Sequence, residues 1–86
     1  MKWTVTWTNE AEEELTDIWL RATNKRRITE ASDRIERELR RNADKKGKSV
    51  ARHRVLHIPP LAVAFELIPD DCLVRVIHVE RETNGS

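Results

Sequence analysis

Residues 51–82 read ARHRVLHIPPLAVAFELIPDDCLVRVIHVERE, three apolar runs separated by turn chemistry. The first, from about Ala51 to Ile58, stops at Pro59 and Pro60, because neither prolyl nitrogen can donate to a ladder and the first biases Ile58 away from helix. In the second, Leu61, Val63, Phe65 and Leu67 alternate with Ala62, Ala64 and Glu66, the period of a strand. Pro69-Asp70-Asp71 supplies the next turn, and Cys72 to Val79 is apolar on both faces except for Arg75 and His78. Links this short make the three strands antiparallel neighbours.

Upstream, Trp3, Val5 and Trp7 alternate with Lys2, Thr4 and Thr6, which gives an opening strand. Thr8 or Asn9 can cap a helix whose first turn carries Glu10 and Glu12, where negative charge complements the dipole. Ala11, Leu15, Ile18, Trp19 and Ala22 recur at helical spacing, so one stripe that includes Trp19 is expected to face the core. That helix ends near Thr23 and Asn24. A second helix starts around Arg27 to Thr29, with Ile28, Ala31, Ile35 and Leu39 inward and the pairs Glu30 with Arg34, Asp33 with Arg37 and Glu36 with Arg40 outward. The predicted order is β-α-α-β-β-β, an α+β fold in which an antiparallel sheet carries a helical hairpin on one face. Residues 1–82 are expected to form one domain and 83–86 a flexible tail.

Charge is segregated along the chain. Arg40, Arg41, Lys45, Lys46, Lys48, Arg52 and Arg54 face the single acid Asp44 within their stretch, although the chain as a whole is only +1. The balancing acids gather in Glu10, Glu12, Glu13, Glu14 and Asp17. A basic region beside the sheet suits phosphate or an acidic partner segment; the plain alternative is a solvated connection between helix and sheet. The tryptophans and Phe65 fall at core positions, which disfavours recognition of single strands by base stacking.

At 86 residues, with 38% apolar and 36% charged side chains, the core is thin and an enclosed cofactor cavity is not expected. No cofactor or metal is predicted: Cys72 and the carboxylates show no ligand spacing around His53, His57 and His78. The lone Cys72 and the lack of a signal-peptide apolar region after Met1 point to a reducing, cytoplasmic setting. No apolar run approaches the ~18 residues of a membrane span.

The element order, the TNEAEEEL start of the first helix, the basic loop around Gly47 and the run RVLHIPPLAVAFELIPDDCLVRVIHVERE together resemble the RelE/ParE superfamily, the small toxins of bacterial type II toxin-antitoxin modules often labelled plasmid stabilisation proteins. The resemblance covers nearly the whole chain. It implies a toxin held inactive by a cognate antitoxin and directed either at messenger RNA on the ribosome, cut without metal, or at DNA gyrase. The alternative is a catalytically degenerate member that keeps the fold and binds protein or nucleic acid.

Carried over residue by residue, the resemblance places Arg52, Arg54 and Arg81 at basic positions of the nuclease branch, with Lys48 just upstream. The strand Leu61–Leu67 lacks the arginine expected there, and the chain has no tyrosine. Cleavage through the 2′-hydroxyl needs a base, an acid and positive charge against the phosphorane. His53, His57 and His78 are then the candidate proton carriers. In a regular strand His53 and His57 face away from Arg52 and Arg54. Their bland reading is half-buried sheet residues or polar groups at loop edges. Arg75, alone among apolar neighbours, is either an ion-pair partner of Glu66 or a guanidinium serving a ligand on the open face.

Overall fold

In the computed structural model, which describes residues 2–50 and 53–82 and gives residues 48–50 by backbone alone, strand β1 (Thr4–Trp7) leads into helices α1 (Asn9–Arg21) and α2 (Lys25–Asn42). A 3₁₀ turn over Ala43–Lys45 follows, then strands β2 (Lys48–Val50), β3 (His53–Ile58), β4 (Leu61–Ile68) and β5 (Leu73–Arg81). Arg52 and the expected tail at 83–86 lie outside the described residues. The sheet order is β1-β5-β4-β3-β2.

Hairpins join β2 to β3, β3 to β4 and β4 to β5, all antiparallel as the short links require. The expectation of a wholly antiparallel sheet needs one correction, since β1 runs parallel to β5, with Val5 beside Val74 and Trp7 beside Val76. No tight turn constrains that pair. The helical hairpin and three strands intervene, so the hairpin rule has no hold on the direction of β1. The basic stretch also contributes β2, one strand more than the predicted β-α-α-β-β-β. A bulge at Ala64/Phe65 opposite Val76–His78 shifts the β4–β5 register.

Both helices cover one face of the sheet. Leu61, Val63, Phe65, Val74, Val76 and Val79 meet Ile28, Ala31, Ile35 and Leu39 of α2, Ala11 of α1 and Trp3 in one buried cluster. Helix starts follow side-chain caps: Thr8 Oγ1 accepts the Ala11 N–H at 3.1 Å and Asn24 Oδ1 the Arg27 N–H at 3.3 Å. Asn24 thus begins α2 earlier than periodicity alone suggests. Glu36 pairs with Arg40 at 3.6 Å as expected, whereas Glu30 pairs with Arg26, one turn upstream, at 3.1 Å.

Trp19 departs from expectation. It is 39% exposed, because Ala11, Leu15, Ile18 and Ala22 already define the inward line of α1 and Trp19 is rotated ~70° off their mean direction. Trp3 is buried, and Trp7 is half-buried with its indole N–H donated to Glu36 Oε1 at 3.2 Å. No helix among the described residues is long and apolar enough to cross a membrane.

Candidate functional site

Cross-strand partners in register share a face, and this assigns each candidate residue its side. Arg54 lies opposite Phe65, which is fully buried under the helices, so Arg54 belongs to the helix side. Its Nη1 donates to the Asp44 carbonyl at 2.6 Å and reaches the Lys46 carbonyl at 3.4 Å. Gly47 completes this turn at φ +75°, and a Cβ there would stand 2.8 Å from the Val55 carbonyl oxygen. Lys46 Nζ sits 2.7 Å from Glu38 Oε2 on α2. The hydrogen bond from Lys46 holds the Glu38 carboxyl below its ordinary range, helped by the charges of Lys46, Arg34 and Arg41 and opposed by partial desolvation.

The basic segment is therefore a braced turn with much of its charge committed. Arg40, besides its contact with Glu36, gives its carbonyl to the Trp3 N–H at 2.8 Å. Arg41 and Lys45 are exposed. The side chains of Lys48 and Arg52 are outside the described residues.

The opposite, open face of the sheet has a different character. His57 lies beside Ala62, and Ala62 beside Glu80; Thr6 lies beside Arg75, and Arg75 beside Glu66. Arg75 Nη1 contacts Glu66 Oε1 at 2.8 Å, the lateral ion pair offered by its sequence context. His57 Nδ1 contacts the Glu82 carboxylate. At the bulge, His78 Nδ1 lies 2.7 Å from Glu14 Oε2 and its Nε2 3.4 Å from Glu80 Oε2. Glu14 also accepts the Val79 N–H at 2.9 Å, so a side chain of α1 satisfies the β5 edge where β1 has ended. Exposed His53 is on this face by strand alternation from Arg54.

The candidate residues thus divide. Arg54 and Arg81, the latter beside Leu61, lie on the helix side of the sheet. His53, His57 and Arg75 lie on the open side, and His78 turns toward α1. The described arginines and histidines do not converge on a common reacting atom. No group of His, Cys, Asp and Glu among the described residues is arranged to hold a metal ion.

The backbone is similar to known structures. A chain of the toxin-antitoxin complex RelBE2 from Mycobacterium tuberculosis superposes with a TM-score of 0.79 at 16% identity, covering 94% of this chain and 99% of that one. The chromosomal ParDE system from P. aeruginosa gives 0.73 at 15% identity over 95% of this chain and 98% of that one. The isolated E. coli RelE toxin gives 0.64 at 12% identity over 98% and 88%. This is the RelE/ParE fold. No protein-family model matches the sequence, and no curated protein matches it. On a RelE/ParE fold, function is decided by the side chains at the site.

Sequence reasoning missed the carboxylates that neutralise the candidate cations: Glu14, Glu38 and Glu82. Glu38 sits two residues before Arg40, and at eight residues from Lys46 it has no i,i+4 relation to it. Glu14 and His78 are joined only by the docking of α1 on β5, and nothing local could have found that contact.

Proposed function

We propose that this chain is the toxin-fold subunit of a type II toxin-antitoxin pair, bound and neutralised by a cognate antitoxin, and that it acts by gripping a macromolecular target. Of the two targets the resemblance implies, ribosome-bound messenger RNA and DNA gyrase, gyrase needs no catalytic set on this chain. Cutting messenger RNA on the ribosome is the reading the side chains disfavour. One observation carries this: the open face pairs Arg75 with Glu66 and His57 with Glu82, while His78, turned toward α1, is held between Glu14 and Glu80. An RNA phosphate arriving there meets carboxylates, and a developing phosphorane finds no uncommitted guanidinium among the described residues of that face. Arg54 is spent on the Asp44 and Lys46 carbonyls. The covering of nearly whole chains from toxin-antitoxin complexes supports the antitoxin partner.

The test is primer extension on translated mRNA after expression of the chain, alongside a gyrase supercoiling assay with the purified protein. We expect intact mRNA and inhibited supercoiling. Discrete cuts within ribosome-bound codons, lost on Arg54→Ala in a variant that stays folded, would reverse the reading. Intact mRNA with unimpeded supercoiling would leave the degenerate binding module.

A further inference from the structure

Among the described residues the exposed large apolar side chains are Trp19, 39% exposed, and Leu20, 61% exposed, and both lie on α1. Trp19 forms one wall of a hollow of about 220 Å³ between the outer sides of α1 and α2, together with Leu15 and Ile28. A second hollow of about 240 Å³ shares Leu15 and Ser32 with the first and runs on to Trp7. The two form one groove along the helical hairpin, apolar around Trp19 and acidic where it reaches Trp7 of β1. Lys25 closes one end, its Nζ 5.2 Å from the Trp19 ring and donating to the Leu20 and Ala22 carbonyls. Those contacts hold the indole at the mouth of the groove.

Apart from Lys25 at that end, the charged groups along the groove are acids. Glu12, Asp33 and Glu36 line the second hollow, and Glu12, Glu13 and Asp17 surround Leu20 on the outer side of α1. No lysine or arginine lines any of these surfaces, in a chain that has 16 of them. Asp17 and Glu36 have internal partners in Arg21 and Arg40, while Glu12, Glu13 and Asp33 make no ion pair among the described residues. Apolar anchors that stay wet, flanked by Glu12, Glu13 and Asp33 without internal ion pairs, match a helix with an apolar stripe and basic flanks.

We propose that this groove is the docking site for a basic amphipathic helix of a partner protein. The inference rests on the reading that the chain works by binding, and it assigns one binding surface to the hairpin. A second copy of the chain does not fit. Its basic helix α2 already commits Ile28, Ala31, Ile35 and Leu39 to its own core, and apposing two α1 helices would set acids against acids.

A synthetic peptide of about 18 residues, five helical turns, with leucines at i, i+3, i+4, i+7 spacing and lysines elsewhere, is the probe. Its twin carries glutamate at every lysine position. Titration at about 150 mM salt, where long-range attraction is screened, is followed by amide chemical shifts. The lysine peptide should bind, with shifts concentrated around Leu15, Trp19 and Leu20, and the glutamate twin should bind at least tenfold more weakly. Leu20→Ser, at an exposed position on the surface that adjoins the groove through Glu12 and Thr16, should keep the melting temperature and weaken binding several-fold, as loss of a flanking apolar contact does. Shifts centred on the open face of the sheet, equal binding of the twins, or unchanged affinity in the Leu20→Ser variant would overturn the proposal. The mRNA assay is independent of this one: uncut mRNA with an unresponsive groove removes this inference alone, whereas cut mRNA removes the reading beneath it.

Discussion

Arg54, a candidate drawn from the resemblance, is held by main-chain carbonyls. Its guanidinium ties the turn before β2 to β3 through two main-chain carbonyls, and a charge-assisted bond of this kind contributes ~1.5 to 3 kcal/mol when sheltered. For a partly exposed site we expect Arg54→Ala to lower stability by about 1 to 2 kcal/mol in denaturant titration. Arg54→Lys should restore little of it, since a single ammonium lacks the fork. Gly47→Ala should cost about 1 to 3 kcal/mol, from the left-handed backbone and the 2.8 Å approach to the Val55 carbonyl. Glu38 adds a pH dependence of known sign. Its folded pKa is depressed, so its contribution is complete above the unfolded value, ~4.3, and disappears as pH falls through the lower folded value. Both partners are about one-third exposed, so the Glu38→Gln variant should lose less than ~1 kcal/mol at pH 7 and show a flatter acid limb.

At the scale of elements, α1 and α2 differ in how completely they are used. The four inward residues Ile28, Ala31, Ile35 and Leu39 of α2 are all buried, whereas α1 fully buries only Ala11. The stripe on α1 therefore has less to lose. Trp19→Ala should cost well below the ~3 to 5 kcal/mol of a buried aromatic truncation, and Phe65→Ala, at the centre of β4 with no exposure, should carry that full cost. Thermal melts of the two variants decide the order. Equal losses would mean that the groove around Trp19 is closed in solution. The same contrast explains why periodicity located α2 correctly and misjudged Trp19, since a pattern gives a face and only the neighbouring sheet says how wide a face is covered.

Across the whole molecule, charge that is segregated in sequence is compensated in part in space. Arg40, Lys46, Arg75 and the ring nitrogens of His57 and His78 each have a carboxylate within 4 Å. Of the basic segment's described side chains, Arg41 and Lys45 stay exposed and without such a partner. Two phosphate contacts give single-stranded nucleic acid a salt slope of ~−1.4, and each of Lys48 and Arg52 that joined them would add ~−0.7. We expect weak oligonucleotide binding with a slope between those limits, −1.4 and about −2.8, by fluorescence anisotropy from low to physiological salt. A steeper slope would mean that Arg40, Lys46 or Arg54 leaves its partner for the ligand.

The strands β3, β4 and β5, their antiparallel links, both helices and the inward face of α2 were all legible in the sequence, because period, capping residues and turn chemistry are local. The direction of β1 was not, since a pair closed over most of the chain obeys no loop rule. The candidate site was legible in part as an arrangement: strand alternation alone sets Arg54 and His57 on opposite sides of the sheet, and the sequence context of Arg75 offered Glu66, whereas Glu14 and His78 come together only when α1 docks on β5. The chain's residues set which groups can be brought to a site; packing over long separations decides which of them meet, and here it brings Arg40, Lys46, Arg75, His57 and His78 to carboxylates.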